Sequence, residues 1–121
     1  MIIRRSKKDD IFGMANLNPN KTGLHVIIWS DHGGAYNNRH HNEPRIKIGT
    51  SEGSVSTTIS PNPRILSKSK NIKKSLQSKI DEGIEYVGRN YDLFLKHFND
   101  SDFSFDDEDL FQALRDRGEY K

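Results

Sequence analysis

Residues 31–44 hold three of the chain's five histidines and two carboxylates, namely Asp31, His32, His40, His41 and Glu43. Imidazole nitrogen and carboxylate oxygen are the usual ligands of zinc and its neighbours when no thiolate is available. The segment lies between two apolar runs that read as strands, and a polar loop of this length in a small domain needs something to order it. A bound metal ion is the simplest agent. His32 follows one strand and His40 and His41 precede the next, so a hairpin brings them together. Asp31 or Glu43 then serves as a fourth ligand, or as the acceptor that orients an imidazole N–H. Adjacent residues point to opposite sides of a strand, so His40 and His41 can share one ion only if the backbone turns there. The expected cofactor is structural zinc or another divalent metal. The plainer reading is a solvated loop that is rich in histidine.

Other chemistry is less complete. An Asp-His pair after a strand is half the signature of His-Asn-His nucleases, in which histidine activates water beside a divalent ion. The nearest helical Asn/His pair, Asn90 and His97, lies too far along the chain for that compact unit. Gly33-Gly34 alone is a turn, not a phosphate-binding loop. Arg64, Lys68, Lys70, Lys73, Lys74 and Lys79 form a stretch of six cations with no anion among them, which can track phosphates or simply be the solvated start of a helix. The acidic end contains Asp100, Asp102, Asp106, Asp107, Glu108 and Asp109, interleaved with Phe103, Phe105 and Phe111. Such a surface can stand in for a nucleic-acid backbone toward a basic protein groove. It can equally supply the negative charge that a helix N-terminus favours.

The elements that must position these residues follow from patterning. A chain of 121 residues suits one domain with a modest core. With 32% apolar and 30% charged residues and a mean hydropathy of −0.84, the core is thin, and a metal would help it. The apolar residues are clustered, which favours folding over disorder. Absence of cysteine excludes disulfides and thiolate sites, and fits a cytoplasmic protein. The longest apolar run, Val26 to Trp29, is far too short to span a membrane, and no secretory leader is expected from the basic residues at 4–8.

Residues 1–9 read as a loose basic arm. A strand is expected over 10–17, carrying Ile11, Phe12 and Met14, then a turn at Asn18–Gly23. Leu24 to Trp29 is rich in β-branched residues and reads as a central strand, apolar on both faces. Arg45–Ile48 alternates as a half-buried strand, Glu52-Gly53 marks a hairpin, and Ser54–Ile59 is a fourth strand whose exposed edge could pair with a second copy, though only weakly because of its serines and threonines. Pro61 and Pro63 end it. Ile72, Leu76, Ile80, Ile84, Val87, Tyr91, Phe94 and Phe98 then fall three or four apart, which predicts one long helix over 69–98. Gly83 and Gly88 within it mark close packing or a break. Phe103 and Phe105 are expected to anchor the chain before a short last helix with Ser104 as its N-cap. The fold class is α+β: a small, mostly antiparallel ββββ sheet, a long helix and a short C-terminal helix, in one domain over 1–121.

Charge is uneven along this order. Residues 1–97 carry 16 Lys+Arg against 9 Asp+Glu, a balance of +7, whereas residues 98–121 carry 3 against 8, a balance of −5. A basic body with an acidic end can bind nucleic acid with one part and a basic partner with the other, or neutralise itself.

The chain resembles a family of small prokaryotic domains of unknown function, which carry an Asp-led loop, a Pro-His-x-His-Val strand, a second strand and a helix. The matching residues are Asp31-His32, Glu43-Pro44-Arg45-Ile46-Lys47-Ile48, Val55 to Ile59 and the helix to Phe98, so the resemblance covers roughly 24–98. The family's two strand histidines fall on Arg45 and Lys47, and His40 and His41 take the ligand role upstream. In small size, lack of cysteine, basic body and acidic end, the chain also looks like phage-encoded anti-CRISPR proteins. That likeness implies a non-enzymatic protein-binding inhibitor, which blocks DNA loading by a CRISPR effector nuclease, with the acidic end as its contact surface. The alternatives are a metal-dependent nuclease or nucleic-acid-binding protein, and a toxin–antitoxin or other interaction module.

Overall fold

A computed structural model describes residues 14–37 and 43–121. The expected strand residues Ile11 and Phe12, the basic arm, and the candidate ligands His40 and His41 lie outside the described residues. The order is β1 (Met14–Leu17), α1 (Pro19–Thr22), β2 (Ile27–Asp31), α2 (Gly34–Asn37), β3 (Arg45–Thr50), β4 (Gly53–Thr58), β5 (Ile65–Lys68), α3 (Lys74–Arg89), α4 (Tyr91–Phe98) and α5 (Asp107–Asp116). The strands form one antiparallel sheet in sequence order, β1-β2-β3-β4-β5. This is an α+β domain.

The period-2 alternation of each strand decides what the sheet buries. Ala15, Leu17, Val26, Ile28, Ile46, Ile48 and Val55 turn to one face and are buried. There α3 packs on β3 and β4, and α4 packs on β2. Ile80, Val87, Phe94 and Phe98 supply the helical side of the same core. Gly83 makes the close approach possible, because a Cβ there would sit 2.6 Å from Ile48 Cγ2 and 3.0 Å from Val26 Cγ2. β2 is not buried on both sides as its composition suggests. Ile27, Trp29 and Asp31 are only half-buried on the face away from the helices.

The expected long helix is two helices. The chain turns at Asn90, whose backbone leaves the helical region at φ −117° and ψ 21°. The side chain holds the turn: Nδ2 donates to the Tyr86 carbonyl and to Glu119 Oε2, both at 3.0 Å. A one-residue break leaves the apolar spacing nearly continuous, so periodicity could not reveal it. The first helix also begins at Lys74 rather than 69, after Asn71 at φ +60°.

β5 was not expected. Its four residues, Ile65 and Leu66 included, are mostly exposed, so it exists through backbone pairing with β4, assisted by Ser69 Oγ accepting from the Ser54 N–H at 3.0 Å. It covers the β4 edge over 54–58, so that edge is not open to a second copy. A short strand ending in Lys68 suits a sheet border. The last helix is capped by Asp106, not Ser104. Asp106 Oδ1 accepts from the Asp109 N–H at 3.0 Å and Asp109 Oδ2 accepts from the Asp106 N–H at 3.2 Å, a reciprocal capping box. Phe105 is buried as expected, but Phe103 is not. Among the described residues no helix is long and apolar enough to cross a membrane.

Candidate functional site

β2 delivers Ser30, Asp31 and His32 to one end of the sheet, where α4 ends at His97 and Phe98. Gly33, at φ +68°, aims its N–H at the His97 carbonyl at 3.0 Å and so satisfies one of the carbonyls orphaned by the helix end. Two histidines more than sixty residues apart therefore meet, with ring centroids 5.0 Å apart.

Each histidine is bonded to a carboxylate of the acidic end. His97 Nε2 lies 2.7 Å from Asp107 Oδ1, and its Nδ1 lies 2.8 Å from Ser30 Oγ. A carboxylate only accepts, so Nε2 carries the proton, and in the neutral imidazole Nδ1 accepts from the Ser30 hydroxyl. Serine, histidine and aspartate in one chain of hydrogen bonds is the order of a nucleophile and its base. Here Ser30 and His97 are both 0% exposed, so the hydroxyl is sealed from any substrate. The chain ties β2 through α4 to the start of α5.

His32 Nε2 lies 2.6 Å from Asp100 Oδ2. Asp100 is buried and also accepts from the Phe105 N–H at 3.1 Å and from the Ser104 hydroxyl at 2.9 Å. Burial alone would raise its carboxyl, but the bonds from His32, Phe105 and Ser104 hold it well below the usual carboxylate range. Asp31 goes the other way. Burial pushes its carboxyl up, and the nearby His97 and His32 offset part of that rise.

These bonds hold residues 101–105 as a fixed loop that presents Phe103. Its side chain is 66% exposed, its φ is +61°, and its ring lies 5.1 Å from the His32 ring. A bulky residue in the left-handed region costs roughly 1–3 kcal/mol and persists only where its surroundings impose it.

The expected ligands and contact residues separate accordingly. Asp31 and His32 stand together at the end of β2. Glu43 lies across the hairpin and takes Arg64 Nη2 on both oxygens, at 3.0 and 3.3 Å. Among the described residues no three His, Asp or Glu side chains converge as a metal would require. Of the acidic end, Asp100 turns inward and Asp107 bonds His97. Asp102, Asp106, Glu108 and Asp109 keep solvent contact, Asp106 and Asp109 as the α5 cap. Of the basic stretch, Arg64 is paired with Glu43, and Lys73, Lys74 and Lys79 line the exposed side of the start of α3. Sequence reading did not assign Ser30 and gave His97 no structural role. The available signal was a histidine at helical spacing from Phe94, on the buried face. No protein-family model, curated protein or solved structure matches the chain.

Proposed function

We propose that the protein is a small binding inhibitor, which occupies a basic surface of a partner protein and does no turnover. The observation that carries this reading is Phe103, exposed and held in a strained backbone conformation, in an acidic segment whose Asp102, Asp106, Glu108 and Asp109 also reach solvent. A rigid aromatic anchor inside a polar rim is the composition of a binding hot spot, and pre-ordering the loop lowers the entropy lost on association. The negative rim suits a cationic groove of the kind that holds nucleic acid. Together with the likeness to anti-CRISPR proteins, this makes a CRISPR effector nuclease the sharpest partner, with blocked DNA loading as the effect.

The test is a DNA-binding assay on purified guide-loaded effectors. The chain is expected to prevent target capture. Phe103→Gly removes the anchor and the backbone strain together, so it should fold at least as stably yet inhibit about ten-fold or more weakly. Reversing Asp102 and Glu108 to lysine should slow association, more at low salt than at high salt. Full inhibition by both folded variants would remove this surface from the mechanism.

A structural zinc ion in loop 31–43 belongs to the same reading, held by His40 and His41 with His32, Asp31 or Glu43. Its support is the donor set and the Asp100 carboxylate behind His32, a pairing that orients many metal-bound histidines. Tag-free protein is expected to carry near-stoichiometric zinc by mass spectrometry. The double variant His40→Ala/His41→Ala should lose it and melt at a lower temperature. Metal-free wild type, with unchanged melting in the variant, would make this a plain surface loop.

A further inference from the structure

The sheet has a second face that none of the described helices packs against. There β1 contributes Met14 and Asn16, β2 Ile27, Trp29 and Asp31, and β3 Arg45 and Lys47, all partly or fully exposed. Antiparallel sheets often leave one face to water, but such faces are then mostly polar. This one centres on the chain's only tryptophan.

The register places the groups. Trp29 pairs with Lys47 across β2 and β3 and with Asn16 across β1 and β2. A cleft of about 320 Å³ opens beside it, lined by Trp29, Asp31, Arg45, Lys47, Ser56 and Ser67 among others. Lys47 Nζ lies over the indole at 4.9 Å from its centroid. Among the described residues Arg45 Nε is buried and has no hydrogen-bond partner, although a buried donor left unmade is costly. Arg45 and Lys47 outnumber Asp31, the one carboxylate lining the cleft among the described residues.

We propose that this face binds single-stranded nucleic acid, with one base stacked on Trp29 and the adjoining phosphates on Arg45 and Lys47. A flat π-surface set in an open sheet and flanked by cations is what unpaired bases require, because every base offers a face to stack and every linkage a charge to neutralise. Lys47 is exposed on a flexible stem, so it swings from the indole to a phosphate when a base takes the ring. Ser56 and Ser67 offer hydroxyls to the edge of that base. Double-stranded nucleic acid hides its base faces and fits the site poorly.

The inference does not rest on the acidic surface, and the two are separable. The full chain is titrated with an oligothymidylate of about 15 nucleotides while the fluorescence of Trp29 is read. Saturable quenching is expected, weaker at about 200 mM salt than at 50 mM. With labelled oligonucleotide, Trp29→Ala should bind about ten-fold or more weakly and Trp29→Phe should recover part of the loss. Lys47→Gln is an exposed substitution that leaves the fold alone. It should weaken binding and lower the salt slope by about one. Phe103→Gly should bind the oligonucleotide as wild type does. Absence of quenching, equal quenching by polyglutamate, or unaltered binding by folded Lys47→Gln and Trp29→Phe would each overturn the proposal.

Discussion

His97→Leu is expected to destabilise the protein by roughly 2–3 kcal/mol, and adding Ser30→Ala should return about 1 kcal/mol or more. Leucine nearly fills the imidazole volume, so a cavity is not the main cost. The cost comes from Ser30, whose hydroxyl is 0% exposed and has His97 Nδ1 as its partner at 2.8 Å. Deleting the acceptor leaves that hydroxyl dry and unmade, whereas removing both partners leaves an apolar contact. The second bond of His97, to Asp107, contributes less, because the Asp107 side chain is 49% exposed and water can replace the imidazole. Equilibrium urea unfolding of wild type, both single variants and the double variant closes the cycle. A double variant no more stable than His97→Leu would show that the Ser30 bond is not what holds β2 to α4.

Gly34→Ala is expected to cost a similar amount, roughly 2–3 kcal/mol, against the direction of helix propensity. At the start of α2, alanine in place of glycine should gain up to about 1 kcal/mol. The new Cβ, however, would lie 2.3 Å from Phe98 Cε2, 2.7 Å from Phe98 Cδ2 and 2.8 Å from Asp31 Oδ2. Phe98 is buried in the core, so its ring cannot swing into water, and overpacking of this kind costs more than propensity returns. Phe98→Leu in the same chain should recover part of the loss. Gly23 is the control: it has nothing within 4 Å but a φ of +83°, so Gly23→Ala should cost only the backbone strain, about 1 kcal/mol. Thermal melts of the four proteins test this. A Gly34→Ala variant as stable as wild type would mean that α2 moves freely over Phe98.

Much of the fold was legible because it rests on local periodicity. Val26 to Trp29 and the hairpin before Gly53 each state an element, and the alternation at Arg45–Ile48 and the apolar spacing from Ile72 to Phe98 state a buried face as well. The errors have specific causes. β5 is too short for its Ile65 and Leu66 to set a period, and an edge strand is held by backbone bonds that any residue can make. The break at Asn90 keeps the apolar stripe in phase. The N-cap moved from Ser104 to Asp106 because the side chain at Asp109 reciprocates, and several acidic residues in a row offer competing caps. Phe103 was expected inside because it is aromatic, yet the bonds gathered by Asp100 turn it out.

Composition and pattern by themselves determined an α+β domain without thiol chemistry, with a polar loop rich in histidine and an acidic end. They did so because hydrophobic spacing and turn residues act over a few positions. Only the tertiary structure decided which charges are spent inside the molecule. Asp100 and Asp107 read as surface charge, yet they bind His32 and His97 across a fold that brings residues 30–33 against residues 97–107. It also decided that Trp29, read from composition as a core residue of a central strand, lies beside Arg45 and Lys47 on a face that none of the described helices covers. Partners ten or more residues apart leave no periodic trace in a sequence, because nothing local constrains them until the sheet and helices have packed.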